Sequence, residues 1–170
     1  SSRYARSTAS SDVRGAGIPL ANCIKRLKHE RSRRVPASEY VNGQTGLYDL
    51  PIQEALAAGV RIFEIFNEPN IAPGPNSEGL GVAWLSAVDF AQQCAALMDA
   101  IRLRYPTAQI LAPAIGPAPD NWVWWEAMRG AGVFASAFGI AAHSYWVDDA
   151  TMLHEEHGQH WRKLKRYLHL

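Results

Sequence analysis

From Leu50 onward, short apolar runs alternate with longer segments of helical periodicity, and that alternation restricts the fold more than any other feature of the chain. Pro51 suits the first turn of a helix and Gly59 its end, so residues 50–59 read as a helix. Residues 60–66 follow as a strand. Over residues 82–105, Val82, Leu85, Val88, Cys94, Ala95, Met98 and Ile101 recur at three- and four-residue steps, the spacing of a helix with one buried stripe, and Pro106 ends it. Residues 109–115 form a second short strand, Asp120 or Asn121 caps a Trp-rich helix reaching Arg129, and residues 138–143 form a third strand. Residues 150–168 read as a closing helix. Short apolar strands separated by helices indicate βαβ crossovers and a parallel sheet buried on both faces, so the class is α/β. About three βα units are present, whereas an eight-unit barrel takes about 250 residues. A 170-residue chain with this rhythm is expected to be a partial (β/α)8 barrel.

Composition narrows the setting. With 48% apolar and 19% charged residues the chain falls in the globular range. No apolar stretch approaches the roughly 18 to 20 residues of a membrane span, and the first residues lack a signal-peptide apolar core, so no membrane partner is expected. Cys23 and Cys94 are far apart and have no metal-ligand spacing, which predicts two unpaired thiols. The net charge of +1 hides a segregation: residues 1–35 hold nine Lys/Arg against two Asp/Glu, and residues 36–150 hold four against twelve. The basic run Arg31-Ser32-Arg33-Arg34 lacks interleaved aromatics or any nucleic-acid-binding motif, so it reads as a solvated arm. Residues 1–17 are too poor in large apolar groups to offset the entropy of ordering. Residues 18–30 have Leu20, Ile24 and Leu27 at helical spacing and read as a short helix. Residues 1–48 are accordingly expected to be a basic, poorly structured segment, and residues 49–170 the folded domain.

Chemistry concentrates where the first strand ends, in Phe66-Asn67-Glu68-Pro69-Asn70. Alternate strand residues share a face, so Ile62, Glu64, Phe66 and Glu68 are expected to point one way, with Glu68 last. Pro69 cannot donate to a ladder and stops the pairing, which leaves Glu68 and Asn67 at the carboxyl rim of the sheet. In parallel α/β barrels that rim carries the active site.

The run Phe63-Glu64-Ile65-Phe66-Asn67-Glu68-Pro69-Asn70 resembles the fourth-strand signature of the clan A retaining glycoside hydrolases, which are (β/α)8 barrels. The resemblance implies that Glu68 is the general acid/base and that Asn67 binds the sugar's 2-hydroxyl. His143-Ser144-Tyr145-Trp146 looks like the sixth-strand His-x-Tyr of the same clan, and about 75 residues, room for two α/β repeats, separate the two motifs. His143 and Tyr145, at i and i+2, share a strand face, where an imidazole can bind a sugar hydroxyl and a phenol can hold a carboxylate. On this basis the chain covers about three βα units around strands four to six, Trp146 is a stacking platform for a sugar ring, and the substrate is a β-linked carbohydrate. No metal or organic cofactor is implied.

Other acidic and aromatic residues are assigned by exclusion. Glu64 lies four residues before Glu68, roughly 13 Å along a strand, whereas retaining catalysis needs carboxyl groups about 5 to 5.5 Å apart. Glu64 is therefore expected to pair with a basic group inside the sheet. The nucleophile of the resembling family stands on strand seven, which this chain does not reach, and Glu155 and Glu156 fall within the closing helix. His154, His157 and His160 on that helix do not match a zinc-protease spacing. Trp122, Trp124 and Trp125 span a helix start, so at least one faces the core. The rival expectation is a non-catalytic carbohydrate-binding or assembly module built on a truncated barrel. Either way, exposed sheet edges and an inward apolar face at Ile62, Phe66, Leu111 and Ile140 favour self-association or completion by another segment.

Overall fold

The structure of the chain, a computed structural model, describes residues 19–27, 36–71, 86–116 and 121–141. After a 3₁₀ turn at Leu20–Asn22, the elements run β1 (Ile24–Leu27), α1 (Ala37–Tyr40), α2 (Asp49–Ala57), β2 (Ile62–Ile65), α3 (Ala87–Arg104), β3 (Gln109–Ala112), α4 (Asn121–Gly130), α5 (Val133–Ser136) and β4 (Gly139–Ile140). The four strands form one all-parallel sheet in the order β1-β2-β3-β4. Each strand therefore pairs with the next in sequence, across a helical connection.

Right-handed crossovers advancing in one direction place their helices on one face of the sheet. The contacts agree: α3 packs against α1, α4 and α5, and α4 against α5, as one layer. Ser86 caps α3 by accepting from the Asp89 N–H at 3.1 Å, and Arg102 and Arg104 occupy its negative end. Its buried stripe is Ala87, Phe90, Ala91, Cys94, Leu97, Met98 and Ile101. Val88, which the sequence pattern includes in that stripe, is 57% exposed. A step from 87 to 90 and 91 keeps one face inward, whereas 88 lies about 100° round the helix. Helix α2 ends as Gly59 predicts: φ there is +97°, and the Val60 N–H reaches back to Ala55 O at 2.9 Å.

Register separates the two sheet faces. Leu27 and Ile65 pair in register, as do Phe63 and Ile110, and Ala112 and Ile140; all of these join the core beneath the helices. Alternation puts Ile24, Arg26, Ile62, Glu64, Leu111 and Gly139 on the other face. There Glu64 sits beside its register partner Arg26, with Arg26 Nε donating to Glu64 Oε2 at 2.8 Å. The basic partner expected for Glu64 is thus on β1.

Three expectations are corrected. Residues 24–27 are a strand rather than part of a helix over 18–30, and the described portion of residues 1–48 contributes β1 and the buried Tyr40, Val41 and Tyr48 to the fold. Phe66 and Ile140 do not belong to the face away from the helices: Phe66 is 1% exposed in the helix-side core, and Ile140 packs against that core. Residues 1–18 and the predicted helix at 150–168 lie outside the described residues.

Candidate active site

Strand β2 stops at Ile65, but the chain stays against its neighbours for six residues more. The Phe66 N–H donates to Leu27 O at 3.2 Å, continuing the ladder to β1, and the Glu68 N–H donates to Ala114 O at 2.9 Å, just past β3. Between these bonds the backbone leaves the strand conformation. Phe66 has φ +59° and Glu68 φ +45°, and they are the two non-glycine residues with positive φ among those described.

The positive φ at Phe66 breaks the alternation that would have put its ring beside Glu64. The ring turns under the helices instead, 5.9 Å from Tyr40 and 5.4 Å from Phe90 between ring centroids. Tyr48 extends this row beyond Tyr40, and Trp124 extends it beyond Phe90. A left-handed conformation costs a side-chain-bearing residue about 1 to 2 kcal/mol, and fully burying an aromatic ring returns about 1.5 to 3 kcal/mol. The packing of Phe66 therefore holds the bend.

The second half of the motif is a turn. Ile71 N–H donates to Glu68 O at 3.0 Å, which puts Pro69 second in a four-residue turn, the position its fixed φ favours. Asn70 then reaches across to the loop after β3. Its Nδ2 donates to Gly116 O at 2.9 Å, and its Oδ1 accepts from Gly116 N–H at 2.8 Å. Gly116 is required for this approach: a Cβ there would collide with Ile71, whose Cδ1 would lie only 2.8 Å away. Three hydrogen bonds thus tie the loop after β2 to the loop after β3.

Within this tied loop, Asn67 is 6% and Glu68 8% exposed. Glu68 stands at the carboxyl end of β2, where its sequence position puts it. His143, Tyr145 and Trp146 lie outside the described residues. Of the indoles, Trp124 and Trp125 are in the core, against Phe90 and Phe134, and Trp122 is 51% exposed. Among the described residues no three His, Cys, Asp or Glu side chains converge as a metal cluster, and no helix is long and apolar enough to cross a membrane.

Sequence reasoning missed Asn70 and Gly116 as partners. The signal was present but weak: an amide immediately after the turn proline, and a glycine shortly beyond the end of the next strand. Comparison with protein-family models, with curated proteins and with solved structures returned no match.

Proposed function

We propose that the chain carries the acid/base half of a glycoside hydrolase site that cleaves β-linked sugars with retention. One observation carries this most strongly: an Asn-Glu pair, nearly buried, stands at the carboxyl end of a strand in an all-parallel sheet, with left-handed backbone at Phe66 and Glu68 on either side of Asn67. Non-glycine residues in that conformation persist only where surroundings over-determine them, and they concentrate at functional sites. The unbroken order β1-β2-β3-β4 supports a segment of a (β/α)8 barrel, since doubly wound sheets reverse their order at a switch point.

In this mechanism the Glu68 carboxyl group protonates the leaving glycosidic oxygen and then, as carboxylate, takes a proton from the water that hydrolyses the covalent intermediate. Asn67, held next to it, donates to the sugar's 2-hydroxyl. A second carboxylate, standing about 5 to 5.5 Å from the carboxyl group of Glu68, attacks the anomeric carbon. Glu64 is not that group, because Arg26 holds it on the sheet face four residues back. The resemblance assigns His143 and Tyr145 to sugar and carboxylate binding and Trp146 to stacking on the apolar C–H face of the ring.

The test has two arms. Titration of the protein with β-linked disaccharides, followed by NMR, should shift the Asn67 side-chain amide and the Glu68 backbone amide; no shift with any of them overturns the proposal. In the full-length protein, Glu68→Gln should abolish turnover of glycosides with poor leaving groups and spare the glycosylation step with activated aryl glycosides, which need no acid. Equal loss on both would remove the acid/base role.

A further inference from the structure

We infer that Asn70 is a positioning residue for Glu68, acting through Gly116 on the neighbouring loop. The inference rests on the acid/base reading of Glu68, and the observations behind it are geometric. Glu68 carries an unfavourable φ of +45° and lies beyond the last strand pair of β2, so strand geometry does not set where its carboxyl group sits. Its backbone is held on one side by the Glu68 N–H to Ala114 O bond and on the other by the Ile71 N–H to Glu68 O bond. The first of these bonds depends on the loop after β3 staying against the loop after β2, and the second keeps Glu68 and Asn70 in one turn, so that what Asn70 grips also places Glu68.

The Asn70 side chain enforces that closeness. It mimics a strand partner, donating to and accepting from the same residue, Gly116, at 2.9 and 2.8 Å. A carboxamide does this with one donor and one acceptor in a plane, so neither a hydroxyl nor a carboxylate replaces it. The surface it closes against is cut to fit, since a side chain at 116 would meet Ile71 and Asn70 Oδ1. The two contacts sit only two residues from Glu68 and two from Ala114. Loosening them frees the Glu68 backbone to relax out of its left-handed conformation, which displaces the carboxyl group from the leaving oxygen.

A merely structural asparagine and a positioning one differ in what they change. Asn70→Ala is compared with wild type for thermal stability, amide hydrogen exchange and steady-state kinetics on paired glycosides, in the full-length protein. Exchange at the Glu68 amide, whose own acceptor is untouched by the substitution, should rise roughly tenfold or more. Turnover of poor-leaving-group glycosides should fall about 100-fold in kcat with KM nearly unchanged, the loss a small misplacement causes, while activated aryl glycosides are spared. That leaving-group signature is the one expected of Glu68→Gln; a stability defect would lower both substrates alike.

A second set of variants works from the opposite loop. Gly116→Ala should reproduce the effect by forcing the loops apart, and Ile71→Ala combined with Gly116→Ala should restore Glu68 protection by removing the atoms the new Cβ would strike. Unchanged exchange at Glu68 in both Asn70→Ala and Gly116→Ala, or equal loss on both substrate classes, overturns the inference. If no sugar perturbs Asn67 or Glu68 but the exchange pattern holds, the glycosidase reading falls and the clamp on Glu68 stands; if sugars bind and exchange is unmoved, the reverse is true.

Discussion

Replacing Asp49 by alanine should cost about 3 kcal/mol of stability, and the figure follows from counting which donors it strands. Asp49 opens α2 and is fully buried. Its Oδ2 accepts from the backbone N–H groups of Asn42, Gln44 and Gly46 at 3.1, 3.0 and 2.8 Å, and its Oδ1 accepts from the Tyr105 hydroxyl at 2.7 Å. Not all four are equally exposed to its loss. The Gln44 and Gly46 N–H groups also reach Asn42 Oδ1, at 2.9 and 3.2 Å, and would keep that acceptor. The Asn42 N–H would be stranded, and the half-buried Tyr105 hydroxyl would lose its strongest partner. A stranded donor costs about 1 to 3 kcal/mol and a hydrogen bond to a charged group nets about 1.5 to 3 kcal/mol, which brings Asp49→Ala to about 3 kcal/mol and Tyr105→Phe to about 1 kcal/mol.

The same site predicts a pH dependence with a definite sign. Burial pushes the Asp49 carboxyl up, but the Tyr105 hydroxyl and the N–H groups of Asn42, Gly46 and Gln44 outweigh it and hold the group below its ordinary value. A carboxyl group whose folded value is depressed stabilises the fold fully above its unfolded value, about 3.9, and loses that contribution as pH falls through the folded value. Asp49→Asn carries no such charge, so the gap between wild type and this variant should be widest near neutral pH and narrow below about pH 4. Urea unfolding followed by tryptophan fluorescence, at pH 7 and pH 3, measures both effects. A loss below about 0.5 kcal/mol for Asp49→Ala, the size of an ordinary surface change, would refute the count of stranded donors. An equal gap at the two pH values would refute the charge argument.

Two further predictions bear on the core. Phe66→Ala should cost about 3 to 4 kcal/mol through the lost ring, and Phe66→Gly should be no less stable than Phe66→Ala, because at φ +59° glycine escapes the strain that alanine retains. Chemical denaturation of both decides it: glycine lower than alanine by about 1 kcal/mol, its usual deficit, would show that the bend is absent. Cys94 is fully buried, and burial pushes its thiol far above the ordinary range, so in the native protein a thiol reagent at pH 8 should label the half-buried Cys23 alone; equal labelling of both thiols before unfolding would contradict the packing of α3.

Most of the α/β rhythm was legible because its elements carry their own signals. The helices at Asp49–Ala57, Ala87–Arg104 and Asn121–Gly130 have a turn proline, a serine cap and end-marking residues where the pattern needs them, and β2 and β3 are apolar runs between helices. Strand β1 was hidden for a physical reason. Outermost among the described strands, it buries only Leu27 fully, leaves Ile24 exposed, and spends Lys25 and Arg26 on the remaining positions, so it shows neither an apolar run nor a clean alternation. Its leucine and isoleucine spacing mimics a helix instead. The purpose of Arg26 becomes visible only from the register, which sets it beside Glu64.

The placement of Glu68 came out at the carboxyl end of β2, but by a different route from the one alternation suggests. Alternation holds while φ stays in the extended region, and the chain leaves that region at Phe66. Counting faces beyond Ile65 therefore sends the Phe66 ring to the wrong side, and nothing in the local sequence warns of it, since phenylalanine has no preference for left-handed backbone. What fixes the bend is distant in sequence: Tyr40 and Phe90 on one side, Ala114 and Gly116 on the other. The Asn-Glu-Pro run specifies which groups stand at the rim and that the strand stops there. The direction in which that backbone is held is set by the aromatic row under the helices and by the loop after β3, so substitutions more than forty residues away, at Gly116, are expected to move the same residue as substitutions beside it.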